Sequence, residues 1–350
     1  MKTYYSFLTR QILLATLLEF LCFGTLAASA GSTYTVQALT IPVEAFSGQA
    51  SAINDAGVSA GWYQTNSGWS AVSWSAANEL TQLGTLPGLP NALANGINQA
   101  GTIVGFAFSA DFLTSSGFIW NSDTGMQPLT DLGGGASLAQ AINSDGTAVG
   151  WAYDPAGVLH AVRWSASGSL TDLNPSGAIS EALGINDAGD VVGWVFSAGA
   201  SASHAYLWRH DGVEIDLQTL GGPGSQAFGV NNALAIVGVS DRPSPLLPVA
   251  FIWRHSTGMR VLGMGTSSQA YAISDLGRSV GFRITDTAGI FGLTRFRGLM
   301  EVLPDLAPDK APFSGPTGVN RCGTIVGSSS SPIPTNGNPV PAIWTKVACD

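Results

Sequence analysis

Beyond residue 33 the chain alternates small or apolar positions with polar ones over runs of about six residues. Each run breaks at Asn, Asp or Gly. Alternation with a period of two is the mark of strands, and no stretch sustains the 3.6-residue period of an amphipathic helix. One run returns seven times as a small residue, Ile or Val, and then a polar slot. That slot is Asn54, Asn98, Asn143, Asn186, Asn231, Ser274 and Asn320. The intervals are 44, 45, 43, 45, 43 and 46 residues. So steady a period predicts one supersecondary unit copied seven times.

Alignment on the polar slot yields four strands per copy. The first ends at Ile53, Ile97, Ile142, Ile185, Val230, Ile273 or Val319, with Ala four residues before the slot in six copies. Such small residues suit strands crowded around an axis. A tight turn follows, with Gly57, Gly101, Gly146, Gly189, Gly277 and Gly323 where positive φ is required. Leu234 replaces that glycine in copy five, so a different turn is expected there. The second strand is read as ending at Gly61, Gly105, Gly150, Gly193, Gly238, Gly281 and Gly327. The third ends in Trp74, Trp120, Trp164, Trp208, Trp253 or Trp344, with Phe296 in copy six. Their fixed register implies packing between units rather than a sugar-stacking series. The fourth carries Leu-x-x-Leu, as in Leu80 and Leu83.

Four strands in about 44 residues is the spacing of a propeller blade. The seventh copy stops after Trp344, and an orphan strand, Tyr34 to Leu39, precedes the first. The expected fold is therefore all-β: a single seven-bladed β-propeller whose last blade is closed by the N-terminal strand. Closure removes the sheet edges that an open array would expose.

The copies resemble the HAF-type extracellular repeat family through His204-Ala205-Tyr206-Leu207-Trp208, His160-Ala161-Val162-Arg163-Trp164 and Val249-Ala250-Phe251-Ile252-Trp253. Leu83-Gly84-Thr85-Leu86-Pro87-Gly88 supplies the accompanying Leu-Gly segment. The resemblance spans Tyr34 to Thr345, and His is replaced in most copies. It implies a secreted or surface-exposed bacterial protein and carries no catalytic residues.

The N-terminus reads the same way. Lys2 and Arg10, an apolar run from Ile12 to Leu26 and Ala28-Ser29-Ala30 make residues 1–30 a secretory signal peptide, with the propeller domain in 31–350. Removing those 30 residues takes away two of the 14 basic and one of the 23 acidic side chains, so the balance moves from −9 to −10. Without a basic stripe, nucleic acid is excluded as a partner, as is an anionic membrane after cleavage. The expected partners are a protein or a glycan, and the expected state is a monomer. Cys322 and Cys349 remain after cleavage and are expected to form a disulfide in an oxidising compartment.

In a propeller the first-to-second and third-to-fourth turns share one face, uniform here. The other connections share the opposite face, and here they vary in length. Function is expected on that variable face. Candidate ligand contacts are Trp69, an aromatic expected in a loop of the variable face outside the repeat register, and the loop acids Asp111, Asp154, Asp241, Asp286 and Asp309. No catalytic group, metal ligand set or cofactor motif stands out. His160, His204, His210 and His255 read as architectural, as do the Asp residues of the tight turns. A non-catalytic binding module is the leading reading. A secreted glycan hydrolase or lyase with loop carboxylates at the channel mouth is the alternative, and a purely structural envelope component is a third.

Overall fold

A computed structural model describes residues 33–174, 177–197, 199–285, 289–307, 313–331 and 338–346. The expected signal peptide, Asp286, Asp309 and Cys349 lie outside these residues. The described residues form 28 strands in seven antiparallel sheets of four. The blades span 47–82, 91–128, 137–172, 179–216, 225–261, 268–302 and 314–346. Strand Tyr34–Ala38 joins the last of them. The fold is the seven-bladed propeller the repeat predicts. Tyr34 pairs with Lys346 and Ala38 with Ala342, so the N-terminal strand forms the outer edge of blade seven. No helix among the described residues is long and apolar enough to cross a membrane.

Every first strand carries a bulge two to four residues before the polar slot, as between Ala50 and Ala52 or Ala182 and Gly184. The bulge turns a carbonyl onto the second strand. A Cβ on Gly61 would stand 2.0 Å from the Gln49 carbonyl oxygen, and one on Gly105 2.0 Å from that of Leu93. Close approach of backbone thus demands these glycines. They do not end the second strand, as expected, but lie in its middle: Gly61 falls within Ser59–Thr65. The residue after each glycine is often aromatic and buried: Trp62, Phe106, Trp151, Trp194 and Phe282.

Leu234 also departs from expectation. It takes φ +55 and donates its N–H to the Asn231 carbonyl, as Gly57 does to Asn54. Copy five therefore keeps the same turn and bears the left-handed strain in a leucine, about 1–2 kcal/mol.

The core lies between blades. Val192, Ala205 and Leu207 of blade four meet Ala227, Ile236 and Phe251 of blade five. The third-strand tryptophans reach back one blade. The Trp74 indole N–H donates to Thr40 O at 2.6 Å, Trp164 to Thr130 O at 2.8 Å and Trp344 to Pro304 O at 2.7 Å. A serine six residues before the slot reaches back as well. The hydroxyl oxygens of Ser180, Ser225 and Ser268 accept the N–H of Ala161, Ala205 and Ala250.

Candidate functional site

Two ends of the axis could present a site. On the uniform face the tight turns surround a cavity of about 150 Å³. Its rim is built by the slot residues, and each asparagine among them uses both ends of its amide. Asn54 Oδ1 accepts the Val58 N–H of its own turn, and Nδ2 donates to the carbonyl of Asn98 in the next blade at 3.2 Å. The same link runs from Asn98 to Asn143, Asn143 to Asn186, Asn186 to Asn231, Asn231 to Ser274 and Asn320 to Asn54. Ser274 has no amide to send on.

The next residue in each turn forms a second, outer belt. Asp55 accepts the N–H of Arg321, Asp187 that of Ser144 and Asp275 that of Asn232. Burial alone would raise the Asp187 carboxyl, but Ser144 and Asn232 draw it below the usual range. These polar groups are spent on one another. The face is a fastening.

The variable face is built differently. The connection between the second and third strands of blade two, residues 109–114, is a rigid loop. The Ser109 hydroxyl donates to Asp111 Oδ1 at 2.5 Å, and the same oxygen accepts the Leu113 N–H at 3.1 Å. These bonds hold the fully exposed Asp111 carboxyl below its usual range. Phe112, at φ +60, donates its N–H to Ser109 O. Its ring stacks on Phe108 at 5.3 Å and meets Trp69 edge-on at 5.5 Å. Trp69 lies 5.7 Å from Phe108, which stacks on Phe106. Its backbone N–H is held by Asn91 Oδ1. Leu113 projects from this pedestal, 58% exposed.

The structure therefore brings Trp69 and Asp111 into one patch, through Phe112. Trp69 is not in a loop, as expected, but is the second residue of strand Gly68–Trp74, because the turn before it is only Asn66-Ser67, and it is half-buried against its neighbours. Asp154 lies in the corresponding connection of blade three, next to Tyr153, which packs in the same apolar cluster as Trp69 and Phe112. Asp154 Oδ1 accepts the Val158 N–H, and its Oδ2 lies 3.8 Å from Nε2 of the buried His160. His160 Nδ1 meets Asp172 at 2.9 Å, and His204 meets Asp216 at 2.9 Å in blade four. The recurrence makes the His–Asp pair a fixture of the repeat. Asp241 is half-buried, with its N–H on Gly224 O. Cys322 is exposed in the tight turn of blade seven, on the uniform face. Among the described residues no three His, Cys, Asp or Glu side chains gather as a metal site.

Sequence reasoning missed the apolar residues at the loop tips and strand ends of this face. Val43, Leu113, Ile179, Phe196, Leu246, Leu247 and Ile284 are all exposed on this face. The signal was present in loops otherwise rich in Gly, Ser, Asp and Pro. It also missed Glu181, a fully buried acid where blades one, five and six have Gln49, Gln226 and Gln269.

No family model matches the chain, and no curated protein matches it. Solved structures do. The oligogalacturonate lyase of Vibrio parahaemolyticus shares 11% identity at a TM-score of 0.57, over 88% of this chain and 93% of that one. An oligogalacturonate lyase in complex with manganese shares 13% at 0.55, over 89% and 93%. The propeller domain of the Trilobed protease from Pyrococcus furiosus shares 11% at 0.57, over 87% and 94%, and is described as having an open velcro topology. In this chain the N-terminal strand closes the ring. At these identities the likeness is one of fold.

Proposed function

We propose that this chain is an exported, non-catalytic propeller that binds a protein partner through its variable loop face. The observation that carries the reading is the rigid patch of Trp69, Phe108 and Phe112 with Leu113 standing above it. Aromatic anchors on a preorganised loop lose little entropy on binding and exclude water around them. Exposed apolar tips on other blades widen the contact around the rim. Asp111 stays ionised beside Leu113, and the chain carries a net charge of −9, which becomes −10 without residues 1–30. The complementary partner offers an apolar pocket bordered by Lys or Arg, and a second copy of this acidic chain is disfavoured. Export is supported by the N-terminal Lys, apolar and Ala-Ser-Ala pattern and by the HAF-type resemblance.

The enzyme alternative asks for two carboxylates facing one another across a pocket. Asp111 and Asp154 are instead each committed to their own turn. The test is a panel of immobilised proteins and glycans, together with an assay for turnover of oligogalacturonate with and without manganese. Saturable binding of a basic protein, lost in Leu113→Ser and in Leu246→Ser/Leu247→Ser, is expected. Polysaccharide turnover, or binding that survives both variants, would overturn the proposal.

A further inference from the structure

Glu181 lies on the first strand of blade four, Ile179–Ile185, opposite Trp194 on the second, Val191–Phe196. It is 2% exposed. The Trp194 indole N–H donates to Oε2 at 3.0 Å, and Oε1 has no hydrogen-bond partner. Both side chains point toward blade five, because Val192, on the same face, packs against Ala227, Ile236 and Phe251. Two residues above this pair, on the same face, Ile179 pairs with Phe196 at the variable rim, and both are exposed.

We propose that a proton held on Glu181 keeps the seam between blades four and five closed, and that its loss in alkaline medium loosens the Ile179–Phe196 rim above it. This rests on the reading of the variable face as the binding surface and adds a control to it. The physical reason is desolvation. A carboxylate with one indole donor and one bare oxygen is a poorly compensated buried charge, whereas the neutral acid is tolerated. Burial pushes the group up to about 8, and the Trp194 bond offsets this only in part. Among the described residues no cation relieves it. The adjoining strands Val191–Phe196, Ser137–Ile142 and Ser225–Val230 carry no titratable side chain. Ala148–Tyr153 brings Tyr153, and Leu159–Trp164 brings His160 and Arg163. These last two strands belong to blade three, which packs on the opposite face, against Ala182.

The sign follows from proton counting. The folded chain keeps this proton after the unfolded chain has lost it, above the ordinary value of 4.5. The folded state is therefore favoured at low pH and loses ground up to about pH 8, beyond which the loss is constant. Above that pH, local opening at the rim relieves the buried charge without unfolding the ring.

The experiment compares the whole chain with Glu181→Gln, the residue three other blades use here. Glu181→Leu, after Leu93 and Leu138, is the second variant. Relative to either variant, the wild-type unfolding constant should rise about tenfold per pH unit between roughly pH 5 and 8. Hydrogen exchange read by mass spectrometry should show the ratio of wild-type to variant opening over 179–196 rising about a hundredfold from pH 6 to pH 9. Parallel stability curves would overturn the titration. An unchanged ratio would overturn the loosening. Neither arm needs a partner, so failure of the binding reading would leave both results standing and would show separately in the panel.

Discussion

Asn320 Nδ2 donates to the carbonyl of Asn54 at 3.1 Å, joining the last tight turn of the ring to the first across 266 residues. The Asn320 side chain is buried, and its Oδ1 caps its own turn through Thr324 N–H. Asn320→Ala removes both bonds at once. A buried carbonyl loses a partner and a turn loses its cap, so the expected cost is about 2 kcal/mol. The complement is Ser274→Asn. The belt passes from Asn231 to Ser274 and stops, since serine has no amide to reach Asn320. Supplying one should stabilise the ring by about 1 kcal/mol. Urea unfolding of both variants checks the pair. A destabilised Ser274→Asn would show that the seam between blades six and seven is shaped for serine.

These belts mark the limit of what the chain discloses by itself. The Asn of each unit reads correctly as a turn residue, because the group it caps lies four residues away. Its second bond reaches a blade 43 to 45 residues distant, or 266 where the ring closes, and no local pattern announces it. The glycine after each turn is visible as a positive-φ position. The glycine in the second strand reads as the mark of a bulge or of close backbone approach, and the structure shows that approach; what no local pattern discloses is that the bulge lies on the neighbouring first strand. Trp69 stands out in the sequence because it falls outside the register. That it rests on Phe108 and Phe112 depends on a left-handed Phe112, which a sequence does not reveal.

Phe112 sets strain against stacking. Replacing it with glycine relieves a left-handed phenylalanine, worth about 1 kcal/mol. It also removes contacts with Phe108 and Trp69, each about 0.5–1.5 kcal/mol beyond area burial. Stacking should win, leaving Phe112→Gly less stable by about 1 kcal/mol, as read by thermal unfolding. Leu113→Ser, at an exposed tip, should stay within about 0.5 kcal/mol of wild type. A binding loss in Leu113→Ser would then report the surface and not the fold.

Asp190 governs the acid limb. Burial would raise its carboxyl, but His210, through Nδ1 and backbone N–H, and Asn186 Nδ2 together hold it below the usual 3.8. A lowered carboxyl stabilises the fold above its unfolded value, and that contribution disappears as pH falls through the folded one. Asp190→Asn should therefore lose stability at neutral pH. It should also show a shallower decline below about pH 4 than wild type. Denaturation midpoints between pH 2 and 7 check this, and identical acid limbs would remove Asp190 from the account.

Gly61 and Gly101 look alike in the repeat but should respond differently to alanine. Gly101 lies in a tight turn at φ +83, and a Cβ there would meet nothing within 4 Å. Its cost is backbone strain alone, about 1–2 kcal/mol. Gly61 has no positive φ, yet its Cβ would stand 2.0 Å from the Gln49 carbonyl oxygen and 2.8 Å from Ala50 Cα. Both obstacles are backbone within one sheet, so neither can rotate away. Relief requires undoing the bulge, which would shift Ala50 and the innermost strand of blade one against its neighbours. Gly61→Ala should cost well above 4 kcal/mol, in the range reserved for lost architecture. Expression and unfolding of the two variants side by side provide the measure. A folded Gly61→Ala within about 1 kcal/mol of wild type would mean that the bulge is dispensable and that these glycines answer to something other than the carbonyl opposite them.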